Sequence, residues 1–280
     1  MVTLRYLRAL RVTLFMIAVC FSGLRAQAKY GGGTGEPNSP YLIRTAEQLN
    51  AIGAEPNDWD RHFKLVANVD LSPYTETDFN IIGLWVDSSS RDNKPFAGVF
   101  DGNGHTISNF TCTSRRTSCV GLFAYVDGRN AHIKDLGLIH AVVHARRVVG
   151  SLAGQVLRGT VTNCYVKGGA VTGSGGVGGL VGQNWGTITD CCADVSVTGG
   201  NNTGGLVGDN RAGGSISRCC STGRIKGREY VGGLTGNNRG TIIDCYATGG
   251  VSGAGIVGGF VGGNGWPFLA EFRPRPAPRI

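Results

Sequence analysis

A phrase that returns six times restricts this chain more than any other feature: CVGLFA from Cys119, VGSLAG from Val149, VGGLVG from Val177, TGGLVG from Thr203, VGGLTG from Val231 and VGGFVG from Val257. The steps between occurrences are 30, 28, 26, 28 and 26 residues. A second phrase follows each occurrence but the last: HIKDLGL from His132, TVTNCYV from Thr160, TITDCCA from Thr187, SISRCCS from Ser215 and TIIDCYA from Thr241. Two phrases in register over five units describe a solenoid, in which each unit packs on its neighbours and none buries a core alone.

Glycine fills 47 of the 280 positions. Inside a helix each glycine costs about 1 kcal/mol relative to alanine, which excludes a helical solenoid, whereas strands separated by glycine turns survive that composition. Leucine-rich repeats need a dense leucine and asparagine pattern and collagen a triplet period, and the sequence has neither. After each cysteine the side chains alternate, so that Cys191, Ala193, Val195 and Val197 face one side while Cys192, Asp194 and Ser196 face the other. Two or three such strands close a coil, and the next coil stacks about 4.8 Å above it. The expected fold is all-β, a right-handed parallel β-helix with a short helix-containing N-terminal region.

The Gly-Leu-Val-Gly phrase, followed about ten residues later by Ile-x-Asn/Asp-Cys, resembles the GLUG-motif repeats of bacterial exported proteins. Leu180-Val181-Gly182 and Leu206-Val207-Gly208 match it fully; Leu152-Ala153-Gly154, Leu234-Thr235-Gly236 and Phe260-Val261-Gly262 match it loosely. The resemblance covers residues 118–264. FAGVFDGNGHTISNF, from Phe96, resembles the coil that precedes such repeats, and PYLIRTAEQLNAIG, from Pro40, their usual leader. The resemblance implies a β-helical surface or secreted protein and supplies no catalytic set.

The first 28 residues place Arg5, Arg8 and Arg11 before an apolar run from Val12 to Phe21 and then Ala26-Gln27-Ala28, the order of a secretory signal peptide cleaved near Ala28. An apolar run near ten residues is too short to cross about 30 Å of hydrocarbon. The mature protein is therefore expected at the cell surface or secreted, with no membrane span. Of the net charge of +8, four arginines lie in this segment and Arg273, Arg275 and Arg279 in the tail, which leaves 20 basic against 18 acidic residues between 29 and 270. A body so nearly neutral argues against a nucleic-acid partner. Residues 29–117 form a cap and lead-in coil. There Thr45 and Gln48 make a capping box for a helix over Ala46 to Ile52 that covers the first coil, Phe63 to Val66 and Phe79 to Leu84 read as strands, and residues 101–104 as a turn.

Cys164, Cys191, Cys219 and Cys245 share one repeat position and should stack as an internal ladder. Stacked strands hold Cβ atoms about 4.8 Å apart, against about 3.8 Å in a disulfide, so buried free thiols are expected there. Zinc wants a tetrahedral cluster and not a column, so neither metal nor other cofactor is expected. Cys112 and Cys119 flank the polar stretch Thr113 to Ser118, which allows a loop disulfide in an oxidising compartment. Cys192 and Cys220, on the outer face, form a second possible pair.

Trp185, Arg211 and Arg239 fall at one repeat position, just after Asn184, Asn210 and Asn238. Stacked on neighbouring coils they form a row in which Trp185 can meet Arg211, suited to a glycan or a surface protein, the alternative being an ordinary solvated loop row. Carboxylates are scattered: Asp190 and Asp244 share a repeat position with Asn163 and Arg218, a pattern of turn chemistry, while Asp194, Asp209 and Glu229 lie apart. His140 and His144 lie on a strand and not a helix, so their spacing of four makes no metal pair. The sequence favours a non-enzymatic scaffold or adhesion module; a fragment of a polysaccharide-acting enzyme is the alternative. After Val257 the repeat gives way to Trp266-Pro267 and a proline- and arginine-rich tail over 265–280. Proline lacks the ladder N–H, so this tail is expected not to continue the coil, either capping it or marking a truncated repeat whose open edge self-associates.

Overall fold

The computed structural model describes residues 29–265 and the backbone of Phe272–Pro274. The signal peptide expected over 1–28, and Trp266 and Phe268 of the tail, lie outside the described residues. The chain winds into a parallel β-helix of about six turns. Each repeat contributes four strand segments, represented by Cys192–Thr198, Asn201–Gly204, Val207–Asn210 and Ser215–Ser217. Each segment pairs in parallel with its counterparts above and below, so that Val181, Val207, Thr235 and Val261 stack in one column and Val161, Ile188, Ile216 and Ile242 in another. The alternation read after the cysteine holds: Ala193, Val195 and Val197 are buried and Asp194 and Ser196 exposed.

Two corners of the repeating coil place a residue in the left-handed region. Asp135, Asn163, Asp190, Arg218 and Asp244 hold φ between 50° and 54° before the first strand; Val148, Gly176, Asn202 and Tyr230 hold φ between 53° and 63° before the second-strand valine or threonine. Asparagine and aspartate tolerate this region better than other side chains, which explains their weight at the first corner.

The repeat phrase itself is a wedge. Its two flanking strands, such as Gly175–Gly178 and Val181–Asn184, turn their outer faces on one another, and the glycines there meet backbone. An ideal Cβ on Gly178, Gly204 or Gly232 would lie 2.6 Å from the amide nitrogen of Gly208, Gly236 or Gly262 one coil on. The wedge tip reaches the opposite sheet, where a Cβ on Gly179, Gly205 or Gly233 would lie 3.1, 2.9 and 2.9 Å from Cβ of Ala193, Ser221 and Ala247. Glycine in a strand costs roughly 0.5–1 kcal/mol each. Burying the tip leucines Leu152, Leu180, Leu206 and Leu234, all at 0% exposure, returns roughly 1.5–3 kcal/mol apiece, and the buried Val181 and Val207 after two of the tips add a similar amount, which offsets the glycines.

At the N-terminal end, helix α1 (Ala46–Ala54) is capped by Thr45, whose hydroxyl accepts from Gln48 N at 3.3 Å. The Gln48 side chain reaches back to Arg44 N at 2.9 Å, one residue beyond the amide a capping box uses. The helix buries Ala46, Leu49 and Ile52. The outer edge of the first strand, Tyr41–Ile43, is taken by backbone and not by the helix: Gly31 N donates to Leu42 O at 2.8 Å and Leu42 N to Gly32 O at 2.9 Å. The strand expected over Phe63 to Val66 runs from His62 to Leu65. The segment from Phe79 to Leu84 is not a strand; it makes only isolated bridges at Ile82 and Leu84, and buries Phe79 against Phe110 at 5.6 Å between ring centroids.

The tail corrects another expectation. Phe272–Pro274 pairs in parallel with Thr241–Ala247, Ile242 opposite Phe272 and Ile243 opposite Arg273. Pro274 stands where the register shifts, at the end of an edge strand, the place where its missing N–H is tolerated.

The wedge makes a direct forecast. In Gly208→Ala the new methyl would meet Val177 N at 2.5 Å and Gly182 O at 2.7 Å, rigid backbone on both sides, and should destabilise by about 1–3 kcal/mol. Gly250→Ala, with no atom within 4 Å, should be neutral or slightly stabilising. Urea unfolding of the two variants tests this; equal midpoints would refute the wedge.

Candidate functional site

Three columns run along the solenoid beside the wedge. The first is internal and was not foreseen. Asn184, Asn210 and Asn238 are fully buried, and each donates from Nδ2 to the next: Asn184 to Asn210 Oδ1 at 2.9 Å, Asn210 to Asn238 at 2.8 Å and Asn238 to Asn264 at 3.2 Å. Asn184 and Asn238 also clasp their own turns, accepting from the N–H of Gly186 and Gly240 at 3.1 and 3.3 Å. In the earlier coils the same position is Val126 and Val156, so the ladder begins where asparagine replaces valine. The recurring Gly-x-Asn in the sequence was its signal.

The second column is the cysteine ladder. Cys164, Cys191, Cys219 and Cys245 are buried free thiols. The backbone N–H of Cys164, Cys191 and Cys219 donates to the sulfur one coil on at 3.4, 3.4 and 3.3 Å. Each thiol donates to the carbonyl two residues before it, at 3.3, 3.2, 3.1 and 3.2 Å in chain order. Burial pushes the Cys191 and Cys219 thiols well above their ordinary range, and the Cys219 sulfur, followed by burial, does the same to Cys245. The thiols therefore act as small hydrogen-bonded packing groups, unsuited to nucleophilic chemistry. On the outer face Cys192 and Cys220 are joined by a disulfide with Cα atoms 4.5 Å apart. The loop disulfide between Cys112 and Cys119 does not form. Their strand, Thr111–Val120, sends Cys112 into the main core opposite Val143, while Cys119, at φ 63°, turns to an outer cluster with Tyr125 and donates to Ala124 O at 2.9 Å. Burial pushes the Cys112 thiol up to about 11 and that of Cys119 higher still.

The third column is at the mouth of the wedge and contains the predicted row. Arg211 Cζ lies 5.3 Å from the ring centroid of Trp185, and Arg239 continues along Gly265, where a Cβ would come within 2.6 Å of its Cγ. What positions Arg211 is Asp209, a fully buried side chain that the sequence placed only in a loop. Its Oδ2 is 2.8 Å from Arg211 Nε and 3.2 Å from Asn202 Nδ2, and its Oδ1 accepts from Asn237 Nδ2 at 3.0 Å. Burial raises the carboxyl above the usual carboxylate range despite the opposing pull of Arg211, Asn237 and Arg239. Asn202 comes from the second left-handed corner, so both flanks of the wedge hold this carboxylate.

The remaining acids are dispersed. Asp190 pairs with Arg218 at 2.7 Å, and that partner holds its carboxyl below the ordinary value. Asp101 pairs with Lys134 at 2.8 Å, and Arg158 sits on Asp127. Asp244 occupies a left-handed corner and Asp194 an exposed strand position. Among the described residues no three histidine, cysteine or acidic side chains could together hold a metal ion, and no helix is long and apolar enough to cross a membrane. His140 sits at φ 55° against Gly168, and His144 pairs in the ladder with Thr172.

Comparison with known proteins agrees with this architecture. Residues 227–252, one coil, match the GLUG motif. The chain is 34% identical over 152 residues to Halomucin of Haloquadratum walsbyi, covering 54% of this chain and 2% of that protein. It is 34% identical over 170 residues to a candidate Gly-rich membrane protein of Evansella cellulosilytica, covering 58% of this chain and 18% of the relative. The chain thus spans a small part of the relatives it matches. A crystal structure of a candidate immunoglobulin A1 protease from Bacteroides ovatus aligns over 84% of this chain and 77% of its own with a TM-score of 0.58 at 21% identity, a likeness of fold.

The cysteine assignment and the buried carboxylate each yield an expectation. Alkylation of denatured, unreduced protein should label Cys164, Cys191, Cys219 and Cys245 together with Cys112 and Cys119, and peptide mapping should find Cys192 linked to Cys220; a linkage within the ladder would overturn the assignment. For Asp209 the folded pKa lies above the unfolded value near about 3.9, so the native state holds the proton more tightly and stability falls as pH rises from that value through the folded one. Asp209→Asn removes this component. Thermal melts across the acid range should show the stability difference between parent and variant changing only in that window, and a flat difference would refute the raised pKa.

Proposed function

We propose that this GLUG-repeat β-helix is a non-enzymatic scaffold or adhesion module, secreted or held at the cell surface, whose Trp185–Arg211–Arg239 row faces a glycan or protein ligand. The observation that carries the reading is the Asp209–Arg211–Trp185 arrangement. A buried carboxylate, held from both flanks of the wedge, fixes a guanidinium over an indole. A platform fixed before binding loses little rotamer freedom when a ligand arrives, and rigid aromatic residues with an adjacent arginine are the side chains that anchor interfaces. The stiffness of stacked coils and the name of the Gly-rich membrane relative support a surface role.

A polysaccharide-acting enzyme asks for more than the row offers. Hydrolysis of a glycosidic bond needs two carboxyl groups within about 5–10 Å across the scissile bond. Asp209 is committed to Arg211, Asn202 and Asn237, and Asp190 to Arg218 on a different corner.

Screening the protein on a glycan array and against surface-protein extracts, beside Trp185→Ala, tests the reading. Binding that weakens by about tenfold in the variant, or roughly the 1.4 kcal/mol expected of one aromatic anchor, is the expected result. Release of new reducing or unsaturated ends from any bound glycan, or binding of neutral glycans and surface proteins indifferent to Trp185→Ala, would sink it.

A further inference from the structure

The corner between the first and second strand segments of each coil, which the strand Gly137–Val149 passes without a break, departs from the near-neutral character of the body. On successive coils it presents Arg146–Arg147, Ser174–Gly175, Gly200–Asn201 and Arg228–Glu229, with Gly175 paired to Asn201 and Asn201 to Glu229. The two middle turns are small and tied down: Ser174 donates from N and Oγ to Arg146 O at 2.8 and 2.6 Å, Asn201 N to Ser174 O at 3.2 Å and Arg228 N to Gly200 O at 2.9 Å. A recess of about 380 Å³ opens between Arg146 and Arg147 below and Arg228 above. A second depression of about 440 Å³ shares Arg146 and Ser174 and runs on to His144 and Arg115.

The four arginines of this groove, Arg115, Arg146, Arg147 and Arg228, are exposed, and among the described residues none forms an ion pair. Arg61, Arg158, Arg211 and Arg218 each face a carboxylate; Arg116, Arg129 and Arg224 also have no ion pair among the described residues but do not line the recess, so what sets the groove apart is the gathering of several such arginines around one depression. Glu229, the acid next to the rim, packs its Cγ toward Gly255 of the following coil. Guanidinium groups gathered without counter-charge repel one another and favour an anion, and their planar forks fit carboxylate and sulfate oxygens in bidentate fashion. The floor offers the hydroxyls of Ser174 and Thr172 and the amide of Asn201, partners for sugar hydroxyls. Among its lining residues His144 is the one ring, with no tryptophan, tyrosine or phenylalanine to make a base-stacking platform, and duplex binding draws on roughly six to ten phosphate contacts, more than four arginines supply.

We propose that the groove between Arg115, Arg146, Arg147 and Arg228 binds a linear acidic polysaccharide, its sulfate or carboxylate groups on the guanidinium groups and its hydroxyls on the Ser174–Asn201 floor. This site is on a different turn from the Trp185 row and does not depend on it.

Biolayer interferometry with the full-length protein on immobilised dextran sulfate, polygalacturonate, neutral dextran and a single-stranded oligonucleotide tests the proposal. Either acidic polymer should bind and dextran should not, and the affinity should fall about tenfold or more as salt rises from about 50 to about 300 mM. The preferred polymer identifies the anionic group. R146A/R147A/R228A should bind about tenfold more weakly or worse, and R129A, an exposed arginine outside the groove, should bind as the parent does. If circular dichroism shows the triple variant misfolded, Arg228→Glu alone should lose about fivefold or more. No binding to either acidic polymer, undiminished binding by the folded variants, or tighter binding of the oligonucleotide than of both polysaccharides would overturn it.

Discussion

The close approach of backbone to backbone at the wedge is the contact on which the rest of the molecule depends. Because Gly178, Gly204 and Gly232 carry no Cβ, two strands of each coil can lay their outer faces together, and the phrase folds into the solenoid instead of around it. Leu180 and its equivalents reach the core, and the tip glycines meet the small residues Ala193, Ser221 and Ala247. The same fold-back brings Asn202 and Asn237 onto Asp209 and thereby sets Arg211 over Trp185. The glycines are a packing requirement first; in most of the column the backbone is not left-handed, and the demand is for space.

Much of this was legible in the residues. The two phrases in register gave the coil, the alternation from Cys191 to Val197 separated core from surface, and the shared position of Asp190 with Asn163 and Arg218 announced a turn, which is a left-handed corner. The wedge was hidden because glycine leaves no alternation to read: a strand and a turn look alike when half the side chains are hydrogen. Asp209 was read as a loop acid because its cover comes from elsewhere in the stack: from the opposite flank at Asn202, seven residues earlier in the chain, and from the next coil at Asn237, 28 later.

Cysteine and arginine show the same limit from two sides. Cys112 and Cys119 are near in sequence, yet an irregular strand with a left-handed residue at Cys119 sends them into separate clusters, while Cys192 and Cys220, 28 residues apart, are brought together by the stack. The arginines of the groove cancel in the charge of the whole body, and they gather only because the turns between Arg147 and Arg228 are small enough to leave a recess. Proximity in a solenoid is counted in coils, and pairwise distance along the chain is a poor guide to it.

The two internal ladders give the solenoid a direction. The amides of Asn184, Asn210 and Asn238 point their donors toward the C-terminal neighbour, and the backbone N–H of Cys164, Cys191 and Cys219 does likewise. A coil that has just formed therefore carries buried donors whose acceptors belong to the coil that comes after it. Aligned amide dipoles strengthen one another, so each arriving coil finds a more polarised template than an isolated hydrogen bond would provide. The two ends of a growing stack therefore differ in kind: growth toward the C-terminus offers the arriving coil a row of donors, and growth toward the N-terminus offers it a row of acceptors.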